Sequence, residues 1–535
     1  MARRGHFVKQ AAILGLASLL VRLIGFFYRI PLTEWVGDEG NTYYLNAYFI
    51  YAFAITITSA SLPAAISKLV SERVVLNRFS DAHQLFKTAL VMATVFSAVV
   101  VFVLFFGAEW LVGHMFPDLP GVVYALRALA PTIFVVAILA VFRGYFQGLN
   151  NMYPTAVSQV VEQIFNATFS LWLARIFYRS AMVEHAAAGA AAGTGIGAVA
   201  GAIVVFGFYL TVARLIRVRA AGNHHTLELT GGPESHNTQI KALLSTAFPI
   251  IIGMGIYQAA NIIDTAMIGN RLMSSGAFTL GQVRAMSGQF TGKFLLLTTL
   301  PVSLSVALSQ AVIPDISSSN ATKNKRGVRS KVNIAMRVSM MISIPAAVGL
   351  SVLADPILAM LFPSHPEGGW LLRYGAVSII FLAMVQVSTG ALQGIGKVFL
   401  PAFAAFCGVA VKIPLNWVLL GIPAINIMGT VISTIVCYVV AAGINLHFLR
   451  KHTGVKLEIL GTFVRPSIAA SGMGMACFVA HHMVGLAAPG RVATLVAILV
   501  GVVVYLFLMW LLGGFPKQDI QRAPIPRFLR RWLNS

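Results

Sequence analysis

Charge is scarce in this chain, and negative charge scarcest of all. Only 10% of its 535 residues are Asp, Glu, Lys or Arg, and the acidic ones number 17, whereas an ordinary soluble domain carries about 25% charged residues. That shortage excludes a water-soluble globular fold. There are three cysteines, Cys407, Cys437 and Cys477, all inside apolar runs and without paired spacing. They exclude a disulfide framework, a zinc site and a redox motif, and are read as packing residues. No phosphate-cradling G-x-x-x-x-G-K-[ST] loop occurs, which argues against ATP-driven pumping. No loop is large enough to be a domain, and the outer loops offer only scattered groups such as Glu34, Asp38, Glu39, Asp118 and Glu367. Hydrolytic or transfer chemistry calls for paired carboxylates or a metal set, so no catalytic residues are assigned.

What is abundant is hydrocarbon: 58% of the residues are hydrophobic. Runs of about 20 apolar residues, each able to cross a bilayer core as a helix, recur along the whole chain. Fourteen can be marked, at roughly 10–32, 43–69, 86–112, 122–146, 154–178, 188–215, 242–269, 284–312, 333–361, 370–395, 399–421, 425–449, 462–484 and 491–514. The net charge of +22 could suggest nucleic acid, but the cations cluster in alternate loops, for example Arg73, Arg78 and Lys87, or Lys323, Lys325, Arg326, Arg329 and Lys331. Such a bias retains loops on the cytoplasmic side against anionic lipid. It predicts a cytoplasmic-membrane location with both termini in the cytoplasm, membrane lipids as neighbours and no nucleic-acid partner. Arg3 and Arg4 before an apolar run resemble a signal peptide, but Arg22 interrupts the run and no cleavage site follows, so a retained first helix is expected.

Sliding the sequence on itself exposes a duplication. At an offset of 246, Phe116 and Pro117 fall on Phe362 and Pro363, Leu126 and Arg127 on Leu372 and Arg373, and Gly144, Gln147 and Gly148 on Gly390, Gln393 and Gly394. The expected architecture is an all-α polytopic membrane protein of about 14 transmembrane helices: two parallel six-helix repeats plus two C-terminal helices. The boundaries expected are residues 1–218 for the first lobe, 219–239 for a polar cytoplasmic linker, 240–451 for the second lobe, 452–514 for the extra pair and 515–535 for a basic tail. Parallel repeats place a substrate cavity between two bundles that rock, so alternating access is the expected mechanism. Gly144, Gly148, Gly390 and Gly394 are read as hinges or turns. The linker histidines His224, His225 and His236 share no helical face, so no metal is expected.

An ionised side chain at the bilayer centre costs roughly 2.5–3.5 kcal/mol, and usually faces a cavity or a partner. In span one Arg22 and Arg29 lie seven apart, nearly in phase. Span five carries Gln159, Glu162, Gln163, Asn166 and Ser170; span seven Tyr257, Asn261, Asp264 and Thr265; span eight Gln282, Gln289 and Lys293; span eleven Lys412 and Asn416. Four deep cations against two deep carboxylates leave a net +2, which suits a phosphate or pyrophosphate head group. Arg22, Arg29, Lys293, Lys412, Gln159 and Asn166 are therefore the candidate substrate ligands, with Asp264 and Glu162 as candidate carriers of a coupling ion. The bland alternative is that these groups pair with one another to hold the bundle. No organic cofactor is expected, only a coupling H+ or Na+ or the membrane potential.

Three segments are more specific still: Arg22-Leu-Ile-Gly-Phe, the run Arg143-Gly-Tyr-Phe-Gln-Gly followed by Pro154-Thr-Ala-Val-Ser-Gln-Val-Val-Glu-Gln163, and Ile263-Asp-Thr265. Together they resemble the MurJ and SpoVB branch of the multidrug/oligosaccharidyl-lipid/polysaccharide exporter superfamily, over nearly the whole chain. The resemblance implies a fourteen-helix flippase whose cationic cavity receives the pyrophosphate and sugars of lipid II or a related lipid-linked oligosaccharide, with a groove at the last two helices for the polyprenyl tail. It maps Arg22 onto a first-helix cavity arginine, places Arg29 about one position from a second, and puts Lys293 at a helix-eight cation. Some members carry an arginine on helix two; here the region from Tyr48 to Ala52 has none, and a tyrosine is expected to make the sugar contact. Roles in peptidoglycan synthesis or sporulation follow by the same likeness, and a monomer is expected. The alternatives are a drug or metabolite exporter of the multidrug-extrusion type, or a membrane glycosyltransferase.

Overall fold

The computed structural model describes residues 2–178, 182–221 and 234–514. Among them the chain is helical, with no strand, as backbone in hydrocarbon must be when each amide has to find its acceptor within its own segment. The order is α1 (Ala2–Ile55), a π-helical turn (Thr56–Ala60), α2 (Leu62–Val75), α3 (Phe79–Phe106), α4 (Ala108–Met115), α5 (Val122–Gly148), α6 (Tyr153–Tyr178), α7 (Val183–Ala221), α8 (His236–Ser274) and α9 (Leu280–Gly288). After a second π-helical turn (Gln289–Phe294) come α10 (Leu295–Ala321), α11 (Lys325–Val352), α12 (Ala354–Leu361), α13 (Gly369–Gly375), α14 (Ser378–Gly394), α15 (Phe399–Leu420) and α16 (Met428–Thr453). A third π-helical turn (Leu460–Val464), α17 (Arg465–Gly485) and α18 (Gly490–Leu511) complete it.

Among the described residues ten helical stretches are long and apolar enough to cross a membrane, or eleven when α13 and α14, bent by 52°, count as one broken span. Two differences from the fourteen expected have visible causes. The first stretch, Ile13–Val75, runs 63 residues, far beyond the roughly 20 that one crossing needs. It is two helices joined at Gly37, whose φ of 72° and ψ of −178° break α1; only glycine takes that conformation without strain. The loop expected between spans one and two is thus a single-residue break. Helix α6 is not among the ten, because Gln159, Glu162, Gln163 and Asn166 dilute its apolar content.

The repeat is present in the backbone as well as in the sequence. At the same offset of 246, α3 and α11 are both 28 residues long and α4 and α12 both eight. The left-handed residues before α3 and α11 are Asn77 (φ 59°) and Lys323 (φ 54°). The ion pair between Arg127 and Glu109, at 2.9 Å, has its counterpart in Arg373 and Asp355.

The turns after α5 and α14 correct one expectation. Left-handed backbone sits at Asn150 (φ 59°) and Gly396 (φ 79°), another matched pair, and not at the glycines singled out as turns. Gly144 and Gly148 lie within α5, where an added Cβ would come within 2.9 Å of Pro63 Cα and 2.7 Å of Val70 Cβ. They bring α5 against α2. Gly390 and Gly394 are buried within α14.

By packing, the described residues divide into one unit lying within 2–292 with 420–426 and another of 293–419 with 427–514. In the first, α7 lies along α5 and α6, and α1 packs on all three. Phe86, Phe142, Tyr145 and Tyr209 interlock there, with ring centroids 4.5–5.5 Å apart. Helices α8 and α9 pack on α1 within this unit. In the second, α14 packs against α10, α11 and α16, while α17 and α18 pair with each other and α17 lies on α11. Tyr505 of α18 donates a hydrogen bond to the Met341 carbonyl at 2.8 Å. Cys437 and Cys477 are buried and Cys407 partly so, and none of the three is in a disulfide. The linker residues 222–233, including His224 and His225, and the tail 515–535 lie outside the described residues.

Candidate functional site

A polar cluster inside the first unit carries three of the six residues expected to bind cargo, Arg29, Gln159 and Asn166. Its floor is the break at Gly37, which folds the second half of α1 back beside the first and sets Arg29 against Tyr48, the guanidinium carbon 5.3 Å from the ring centroid. Tyr44, Tyr48 and Tyr51 follow one another at helical spacing, with centroids 6.0 Å and 5.7 Å apart. Tyr28, Tyr44 and Tyr48 surround the Arg29 charge. Among the described residues no carboxylate lies within ion-pair distance of Arg29. A cation held by a ring face is oriented without being neutralised.

Helix α6 forms the facing wall. Arg143 of α5 donates from Nη2 to Glu162 Oε2 at 2.6 Å and from Nε to the Ser158 hydroxyl at 2.9 Å. Tyr48 and Tyr51 both lie within electrostatic reach of Glu162. Gln163 approaches α1 at Gly25, where a Cβ would sit 3.3 Å from its amide nitrogen. The Gln159 Oε1 atom is buried with no hydrogen-bond partner. Asn166 accepts from Ser170 at 2.9 Å and from Thr194 at 3.3 Å. This close seating of α6 depends on Gly197 and Gly201 of α7, since a Cβ at Gly197 would be 2.6 Å from the Glu162 carbonyl.

The other expected residues are placed differently. Arg22 is half-buried about two turns before Arg29 on α1, and Asp264 is buried on α8; both have interaction partners. In the second unit Lys293 is 1% exposed, and its ammonium donates to the carbonyls of His365 at 2.7 Å and Glu367 at 3.1 Å, above the Phe362 ring. Both carbonyls belong to the loop between α12 and α13. Lys412 and Asn416 are buried one turn apart on α15.

Several contacts were not anticipated from residue spacing. Arg284 of α9 donates to Glu39 at 2.7 Å and to the Asp118 carbonyl at 2.9 Å, while the Thr42 hydroxyl donates to the Arg284 carbonyl at 2.9 Å. Arg73 pairs with Glu234 just before α8, and Arg337 with Glu458 at 2.6 Å just before the third π-helical turn. Of the linker histidines, His236 hydrogen-bonds the Thr88 hydroxyl at 3.0 Å. A pairing across 161 positions leaves no periodicity to read. The tyrosine row does: its spacing of four and three marks one helical face.

With this geometry in view, the relatives can be placed. Residues 7–320 match the polysaccharide biosynthesis protein family, and residues 249–418 match the MatE family. The lipid II flippase MurJ of Bacillus subtilis (strain 168) is 27% identical, over 99% of this chain and 98% of its own length. Stage V sporulation protein B of the same organism is 26% identical over 85% of each. Among solved structures, a lipid II flippase MurJ in an inward closed conformation superposes with a TM-score of 0.69 at 15% identity, covering 96% of this chain and 100% of that one. An inward-facing MATE family multidrug resistance transporter gives 0.67 at 15% identity, covering 82% and 98%. The chain belongs to the polysaccharide biosynthesis protein family, as a multi-pass membrane transporter of the MurJ and SpoVB type, and is not an enzyme.

Proposed function

We propose that the protein flips an undecaprenyl-pyrophosphate-linked cell-wall precursor, lipid II or a related oligosaccharide lipid, from the inner to the outer leaflet by alternating access. The observation that carries this reading is Arg29, a cation inside a membrane-spanning helix with the Tyr48 ring face against it and no carboxylate within ion-pair distance among the described residues. Such a group inside a span faces a partner or a cavity, and a cation without a carboxylate partner suits an anionic visitor. A diphosphate supplies paired oxygens that match the guanidinium fork. The likeness to flippases over nearly the full chain supports the same class of cargo.

The partner is then a lipid-linked oligosaccharide, and the chain works in the bacterial cytoplasmic membrane with both termini inside, as its basic loops favour. Head-group movement needs no covalent step. Drive comes from the membrane potential or from H+ or Na+ carried at Glu162 or Asp264, and vesicles in which each gradient is collapsed separately test this. Flipping that continues unchanged without any gradient removes the coupling.

The decisive experiment is depletion of a host's resident flippase, expression of this chain, and measurement of externally accessible lipid II. Wild type is expected to restore it, whereas Arg29→Ala and Arg22→Ala insert normally and fail. A second reading, drug or metabolite export, is favoured by the MatE match over residues 249–418. It predicts resistance to cationic drugs on expression and no restored lipid II.

A further inference from the structure

The tyrosine row on the second half of α1 has chemistry that the cationic reading of the site leaves unused. Tyr44 is 2% exposed, yet its hydroxyl has no hydrogen-bond partner. A buried phenol without a partner carries a desolvation cost that a core tyrosine normally avoids. Gln159 Oε1 on α6 is buried and unsatisfied in the same unit. Tyr48 by contrast uses its ring face, against Arg29 at 5.3 Å.

Charge bookkeeping within the cluster shows why the ring matters. Arg143 and Glu162 cancel one another at 2.6 Å. Arg29 keeps its full charge because Tyr48 orients it by quadrupole attraction and takes up none of the donors on its planar fork in an ion pair. A carboxylate in the place of Tyr48 would hold the guanidinium as firmly and would repel the oxygens of a phosphate.

We propose that this row is a specificity-determining element for the polar head of the cargo. Tyr48 is a positioning residue that aims the Arg29 guanidinium at a phosphate oxygen, and Tyr44 offers its hydroxyl to a sugar hydroxyl next to that phosphate. The inference rests on the flippase reading above and adds to it how the head group is told from a bare polyprenyl diphosphate.

The test uses the full chain in nanodiscs and two probes: undecaprenyl pyrophosphate without sugar, and lipid II. Wild type binds both, lipid II more tightly. Tyr44→Phe removes one hydroxyl and is expected to weaken lipid II about five- to tenfold while costing the sugar-free probe much less. Tyr48→Leu weakens both probes by a similar factor, and Tyr48→Phe, which keeps the ring face, restores them. Circular dichroism and melting of each variant show that the helices remain intact. If Tyr44→Phe affects both probes equally or neither, or if Tyr48→Phe is as damaged as Tyr48→Leu, the inference falls while the flippase reading stands. If wild type binds neither probe, both fall together.

Discussion

Arg143 on α5 and Glu162 on α6 are joined by a 2.6 Å hydrogen-bonded ion pair, with the Arg143 Nε also held by Ser158 one turn before Glu162. The pair lies across the hairpin that follows the turn at Asn150, so it fixes the angle at which α6 leaves α5 and presents its polar stripe to α1. Glu162 is therefore a bound partner in this conformation, and carrying an ion would require Arg143 to let it go.

Removing one member should cost more than removing both. Arg143→Ala or Glu162→Ala leaves a charge in a partly buried site, with side-chain exposures of 12% and 26%. A loss of about 2–3 kcal/mol is expected, below the range for a fully buried pair. The double variant should recover part of it. Melting of the purified protein in detergent measures the cycle, and strictly additive losses would show that the pair contributes nothing.

Gly288 at the end of α9 meets α1 so closely that a Cβ there would collide with the Asp38 carbonyl, while a Cβ on Gly292 one turn on would lie 3.1 Å from the Asn41 amide. Gly288→Val should therefore separate α9 from α1 and lower the yield of folded protein sharply. Gly443 on α16 has open space around it, so Gly443→Ala should be neutral or stabilise by about 0.5–1 kcal/mol. Size-exclusion profiles of the two variants make the comparison.

Lys293 discriminates a structural cation from a ligand. Its ammonium satisfies two buried-side carbonyls, His365 and Glu367, and losing such partners costs about 1–3 kcal/mol. Lys293→Met should lower the melting temperature and speed amide exchange in residues 363–368. If stability is unchanged and only lipid II binding drops, the ammonium leaves these carbonyls for the cargo.

The segment entering α8 is held by charge. Arg73 and Arg78 both reach Glu234, whose amide donates to Asp81 at 3.3 Å. Glu234→Arg should raise hydrogen exchange through the first turn of α8, and adding Arg73→Glu should reverse much of the rise. In the second unit the same experiment on Arg337 and Glu458, where Glu458 is 57% exposed, should give a smaller change, because solvent screens exposed pairs.

Composition and periodicity alone settled that this chain is a helical membrane protein, because the bilayer demands about 20 apolar residues per crossing and satisfies no exposed backbone. They also settled the duplication, since an offset of 246 is readable wherever special residues recur, and the matched helices, turns and ion pairs repeat it in space. Arg29 and Glu162 were visible as charges out of place in hydrocarbon.

Which group each charge meets was decided by the tertiary structure. Helical spacing assigns a residue to a face, but partners at separations of 72 for Lys293 and His365, or 161 for Arg73 and Glu234, depend on how faces are brought together. The break at Gly37 is the plainest case. One backbone angle turns α1 on itself and makes a tyrosine row the surroundings of an arginine nineteen positions earlier.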